Sequence, residues 1–168
     1  RPILRLTARD LAGLADLNEV MTTMTALADV TIRFSLEFLH TLMTRPEIFG
    51  KPTGERTGTE QQLLIVAMGK LGGGELNVSS DVDLVFIYPE DGETDGRKSI
   101  TNHEFFVKLG RKLIASLNDY TVDGYVFRVD MRLRPYGENS PLAISLTMLE
   151  DYFVTQGREW ERHAWIKS

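Results

Sequence analysis

Apolar residues recur along this chain in two rhythms, and the change between them divides it. Over residues 8–45 the apolar side returns every three or four positions, through Leu14, Leu17, Met21, Met24, Ala28, Thr31 and Phe38. That spacing predicts amphipathic helix, either one long helix or two with a bend. Thr7 and Asp10 are candidate caps for its start, and Pro46 closes it. Residues 51–60 (KPTGERTGTE) interrupt the rhythm with turn formers and predict a polar linker. Residues 63–68 and 82–88 are short continuous apolar runs between turn residues, the pattern of buried strands. Residues 89–98 are acidic and contain glycine, which predicts a solvated loop. Helical spacing returns over residues 102–117 in Phe105, Phe106, Leu109, Leu113, Ile114 and Leu117, with Asn102 as the expected N-cap. Residues 125–133 predict a third strand, residues 145–157 a helix capped by Ser145, and residues 158–168 its helical continuation. The expected organisation is a helical arm (1–50), a linker (51–62) and an α+β unit (63–168) in which helices flank a mixed sheet.

Bulk composition narrows the class without choosing a function. The chain has 168 residues, 42% hydrophobic and 26% charged, and is long enough to bury a core unaided. It has no cysteine, which excludes disulfides and thiolate metal sites. A formal charge of −5 gives no overall attraction to nucleic acid. No apolar run reaches the roughly 18 residues of a membrane span, and no signal peptide is visible, so a cytoplasmic location is expected. The first residue is Arg1 rather than Met, and Ser168 falls in a helix-like stretch, so the chain reads as a piece of a longer protein.

Candidate chemistry concentrates where the first strand runs into the second. Gly69 and Gly72-Gly73-Gly74 follow residues 63–68 directly. Such a turn can bring backbone N–H groups close to phosphate oxygens, or simply be a tight turn without a ligand. It is neither a Walker loop nor a dinucleotide fingerprint, since Lys70 is not followed by Ser or Thr. Asp81 and Asp83 then open the second strand at i and i+2, on one face and about 6–7 Å apart. That spacing suits Mg²⁺ ions bridging to nucleotide phosphates, and Asp83 would otherwise sit at the edge of an apolar core. In Val129-Asp130-Met131-Arg132-Leu133-Arg134, alternation places Asp130, Arg132 and Arg134 on one face. They are either a third acid with two phosphate-gripping arginines or an Asp–Arg ladder on a solvated sheet. Ser79 and Ser80 can donate to phosphate oxygens or close the turn.

Glycine turn, D-x-D on a strand, helix, then a strand with a third Asp is the order of the polymerase-β-like nucleotidyltransferases. The resemblance narrows further. GKLGGGELNVSSDVDLVF (69–86), DMRLRPYG (130–137) and LEDYFVTQGREWERHAWIK (149–167) resemble the glutamine-synthetase adenylyltransferase family, and in particular its N-terminal, adenylyl-removing domain. Asn139-Ser140-Pro141 departs from the Ser-Gly-Pro expected there. The resemblance implies a bifunctional parent that adds AMP to a tyrosine of glutamine synthetase with ATP and removes it by phosphorolysis, releasing ADP. It implies that Asp81, Asp83 and Asp130 are catalytic metal ligands for Mg²⁺ or Mn²⁺. It implies that Gly72, Gly73 and Ser80 hold phosphate, with Arg132 and Arg134 orienting it. The implied partners are glutamine synthetase, ATP, ADP and orthophosphate, with a PII-type signalling protein regulating the full-length enzyme; nucleic acid and membrane are not expected. Rival readings are the reverse reaction at the same site and a binding module without turnover. His40 and His103 lack companions at metal-ligand spacing, and Trp160, His163 and Trp165 read as helix packing before an adenine wall.

Overall fold

The computed structural model describes residues 2–119 and 126–156, together with Trp165. Of the sequence expectations, the start of the third strand at Tyr125 and the helix beyond residue 156, Trp165 apart, lie outside the described residues.

The arm is two helices, α1 (Pro2–Leu11) and α2 (Leu17–Met43). The break falls at residues 12–16, where Asp16 caps α2 by accepting the Glu19 N–H at 2.7 Å. Neither Thr7 nor Asp10 is that cap. Val20, Met24, Ala28 and Ile32 form the buried stripe of α2; of the positions named from the sequence, Met24 and Ala28 lie on it, whereas Leu14, Leu17 and Phe38 are exposed.

Segment 51–62 is more than a linker, because Pro52–Gly54 form β1. β1 pairs antiparallel with β4 (Gly92–Thr94), which lies in the stretch expected to be a solvated loop. The main sheet is built on β3 (Val82–Tyr88). β2 (Leu64–Met68) runs antiparallel along the whole of one edge, from Leu64 opposite Ile87 to Met68 opposite Asp83. Two short strands share the other edge, both parallel to β3. β5 (Val129–Asp130) takes its first end and β6 (Ala143–Ser145) its last.

Both faces of β3 are covered, so its sequence is a nearly unbroken apolar run. Val82, Leu84, Phe86 and Tyr88 face one cluster, which includes α2 and α4 (Asn102–Asn118). Val85 and Ile87 face the other, with Ile144 and with Leu149 of α5 (Leu146–Thr155). Trp165 joins this second cluster, edge-on to Phe153 at 5.3 Å. The α4 cap is Thr101, whose hydroxyl accepts the Glu104 N–H; Asn102, the residue expected there, is buried instead. Its amide donates to the carbonyls of Thr53 and Glu90, tying β1 to the end of β3. Ser145 caps α5 as its sequence predicts.

The described residues thus form a mixed α+β fold with helices flanking a small sheet. Among them no helix is long and apolar enough to cross a membrane.

Candidate functional site

Two side chains separated along the chain meet because β3 and β5 lie side by side in parallel. The register sets Asp83 opposite Asp130 and Val82 opposite Val129, on strands about 4.8 Å apart. Asp81 precedes β3 by one residue and shares the Asp83 face. All three predicted acids therefore gather at the first end of β3.

Each acid has a different electrostatic setting. Asp83 is partly buried between the strands, and its pKa is raised, first by burial and then by the negative charges of Asp130 and Asp81, with Arg132 opposing. Asp130 has a lowered pKa, chiefly because the Arg132 guanidinium hydrogen-bonds to it. Arg132 holds it at three points: its backbone N–H donates to Oδ1 at 2.8 Å, and Nε and Nη2 reach Oδ2 at 2.7 and 2.5 Å. Asp81 pairs with the Nε–H of Arg128.

The alternation expected to align Asp130, Arg132 and Arg134 on one strand face is not realised, because β5 stops at Asp130. The carboxylate of Asp130 takes the Arg132 N–H, a local turn bond that competes with the strand ladder. Arg132 still reaches the acids. Arg134 turns the other way, giving Nη1 to the Met131 carbonyl, Nη2 to the Glu138 carbonyl and Nε to the Ser140 hydroxyl. It staples residues 131–140 into a compact loop.

The glycine turn is a single helical turn, α3 (Gly69–Gly72). Gly69 opens it at φ +57°, and a Cβ at this position would stand 2.7 Å from Asp83 Oδ2, so the turn leaves the acid only as much room as glycine allows. Gly72 ends the turn. The Gly73 N–H is already spent on the Gly69 carbonyl at 3.0 Å. Ser80 donates its hydroxyl to Asn77 Oδ1 at 2.7 Å, and Lys70 Nζ approaches that hydroxyl at 3.4 Å. The loop therefore presents a lysine and a serine hydroxyl beside the acids.

Sequence reasoning missed Arg128 and Lys70 as members of this group. Arg128 was legible as the residue two before Asp130, on the same side of an alternating run. Lys70 lies inside the glycine turn itself.

Three carboxylates suit a hard divalent cation in kind, and the strain that Asp81 and Asp130 put on Asp83 is what such a charge would offset. Among the described residues, however, no three acids or histidines stand grouped as a ready cation cage. Arg128 and Arg132 take up two of the carboxylates instead.

Comparison with known proteins adds a direct match. The family model described as glutamate-ammonia ligase adenylyltransferase matches residues 1–168. A bifunctional glutamine synthetase adenylyltransferase/adenylyl-removing enzyme of Nitrosomonas europaea is 91% identical over 168 residues, covering 100% of this chain and 18% of the relative. One of the same description from Nitrosomonas eutropha is 90% identical with the same coverage. A third, from Chromobacterium violaceum, is 56% identical over 166 residues, covering 99% of this chain and 18% of the relative. The chain thus spans less than a fifth of the length of these relatives.

Proposed function

The chain belongs to the glutamate-ammonia ligase adenylyltransferase family, and from that premise we propose that it is a polymerase-β-like nucleotidyltransferase unit that removes AMP from an adenylylated tyrosine of glutamine synthetase. Residues 1–50 serve as its arm, 51–62 join the two parts, and 63–168 carry the chemistry. The observation that supports this most is the parallel register of Asp83 with Asp130, which gathers acids from two strands beside a glycine turn.

In the removing direction an oxygen of orthophosphate attacks the AMP phosphorus. The bond from phosphorus to the tyrosine oxygen breaks, the new P–O–P bond makes ADP, and the phenolate takes up a proton. Asp81, Asp83 and Asp130 are the residues that would hold Mg²⁺ or Mn²⁺. When bound, that ion supplies positive charge against the attacking and leaving oxygens of an in-line displacement. Arg132 and Lys70 orient the phosphate, with the Ser80 hydroxyl beside them and Gly72 and Gly73 shaping the turn. Arg134 acts on this site through the loop it staples. In the longer chain a PII-type signalling protein would regulate the activity.

Adenylylation with ATP is the second reading. The printed description of the relatives carries both activities, and a phosphoryl-transfer site works in either direction.

The test mixes the chain with adenylylated glutamine synthetase, Mg²⁺ and orthophosphate and assays ADP, with Asp81→Asn/Asp83→Asn beside it. Phosphate-dependent ADP that disappears in the double variant supports removal. Labelling of unmodified glutamine synthetase from ATP, without phosphorolysis, reverses the direction. Neither activity in a folded chain refutes catalysis by this unit.

A further inference from the structure

Helix α2 has two apolar sides, and the described fold uses one of them. Val20, Met24, Ala28 and Ile32 face the core. A second row runs through Val30, Phe34 and Phe38, which are 64%, 72% and 62% exposed. Half-buried Leu27 stands at its head. Steps of three, four and four residues keep these side chains in one line along a helix. Single exposed apolar residues are ordinary, but a continuous row with two phenylalanines marks a contact surface.

The spacing defines the kind of partner. Rows of this period seat in the grooves between the ridges of a second helix. An added strand would need the open edge of a sheet, and a helix, whose backbone bonds are internal, offers none. Glu37 borders the row and makes no ion pair among the described residues. A basic side chain beside the partner's apolar stripe would complement it.

Area decides between a second copy of this chain and a segment of the same polypeptide. Covering the row would remove about 300–450 Å² of this surface from water. Stable complexes of separate proteins bury about 800 Å² on each partner. Two copies meeting here would bear the full loss of translational and rotational freedom for about half of that. A segment tethered in the same polypeptide would not. The chain corresponds to only 18% of its relatives from the two Nitrosomonas species, so the full-length enzymes hold ample polypeptide to supply one.

We infer that Val30, Phe34 and Phe38 form the docking row for an amphipathic helix supplied by the remainder of the full-length enzyme. α2 is then a seam, with the sheet on one side and a neighbouring helix on the other. The inference rests on membership of the family and is independent of the chemistry proposed for the acids.

Hydroxyl-radical footprinting reads side-chain exposure directly. The samples are this chain alone and the full-length Nitrosomonas europaea relative carrying these 168 residues in place of its own. Phe34 and Phe38 should oxidise about fivefold or more slowly in the full-length enzyme, as a surface passing into an interface core does. Phe105 and Phe106, buried in both, set the floor. Equal rates in the two samples overturn the inference. So does protection that grows with protein concentration, or a chain that sediments alone as a dimer through this row, since a second copy is then the occupant.

A benzophenone side chain at position 34 and, separately, at position 38 of the full-length enzyme identifies the segment. Both should be trapped within one polypeptide, by residues three or four apart outside the 168. Trapping between two polypeptides, or by residues two apart as in a strand, refutes the helix. The double substitution Phe34→Glu/Phe38→Glu should leave the melting of the isolated chain unchanged and lower that of the full-length enzyme. Loss of stability in the isolated chain would show the row to be part of its own core.

Discussion

Replacing Gly69 by Ala tests whether the acids depend on the turn that enters α3. Gly69 has φ +57°, a region that costs an L-residue about 1–2 kcal/mol. The new Cβ would stand 2.7 Å from Asp83 Oδ2 and 3.5 Å from its Cγ. Asp83 cannot retreat with its strand, because its backbone is paired to Met68 on one side and Asp130 on the other. The carboxylate must rotate instead, at a cost of about 0.5–1.5 kcal/mol. The two costs together come to about 2–3 kcal/mol, and each kcal/mol lowers the Tm of a domain this size by about 2–4 °C. The expected fall is therefore about 4–12 °C.

Gly74→Ala is the matched control. Gly74 has φ +69° with nothing among the described residues within 4 Å of the added Cβ, so it carries the backbone cost alone. Circular dichroism melts and the ADP assay separate the two variants. Gly74→Ala should stay near wild-type rate. Gly69→Ala should lose about tenfold or more, since an ångström of misplacement costs up to about a hundredfold. Equal rates in the two variants, or a Gly69→Ala no less stable than Gly74→Ala, would refute the reasoning.

Asp83→Asn should raise Tm by a few degrees in chelator at about pH 7.5 while abolishing ADP formation. The folded pKa of Asp83 is raised, so its contribution is favourable below the ordinary carboxylate range and lost as pH rises through the raised value; a lower Tm for the variant would contradict this. His40 is predicted to destabilise in the opposite pH direction. Its pKa is lowered from 6.5, mainly by burial, against the pull of Glu60 and of a hydrogen bond to the Gln61 backbone. The unfolded chain takes the proton first, so stability is full above the ordinary histidine value and falls as pH drops through the lowered one, by about 1.4 kcal/mol per unit of separation. His40→Gln should flatten the melt profile between about pH 7.5 and pH 5, and an unchanged slope would exclude His40 as its source. Asn102→Ala strips donors from two carbonyls and should cost about 2–4 kcal/mol, with faster amide exchange in β1 and β4 as the local signature.

Elements carried by a buried apolar stripe were legible in the sequence. β2, β3 and α4 lie where the runs and spacings put them, and Ser145 caps α5. Elements made by long-range pairing were not. β1 and β4 are short and largely polar, and each exists because the other is there to pair with. β6 is a three-residue strand whose only signal is proximity to β3. The third strand was read too long because alternation persists in the letters after Asp130 has already turned the backbone. D-x-D and the later Asp were visible as a set, since chemistry and spacing agreed. Arg128 was missed although it stands two residues before Asp130, because a guanidinium shows its purpose only when its carboxylate has been located in space.

The register of β5 also governs when the acid cluster can come into being during folding. Arg128 and Asp81 are 47 positions apart and meet only across the β3–β5 pairing. Contacts that distant close late, after the entropy of the intervening loop has been spent. The β2–β3 hairpin can form earlier, presenting Asp81 and Asp83 without Asp130. When β5 docks, it brings the third negative charge together with a positive one on each side, so the repulsion of gathering the acids is offset in the same event. A partly folded chain that lacks β5 has no acid cluster, so on the function proposed above it could not act on a nucleotide prematurely.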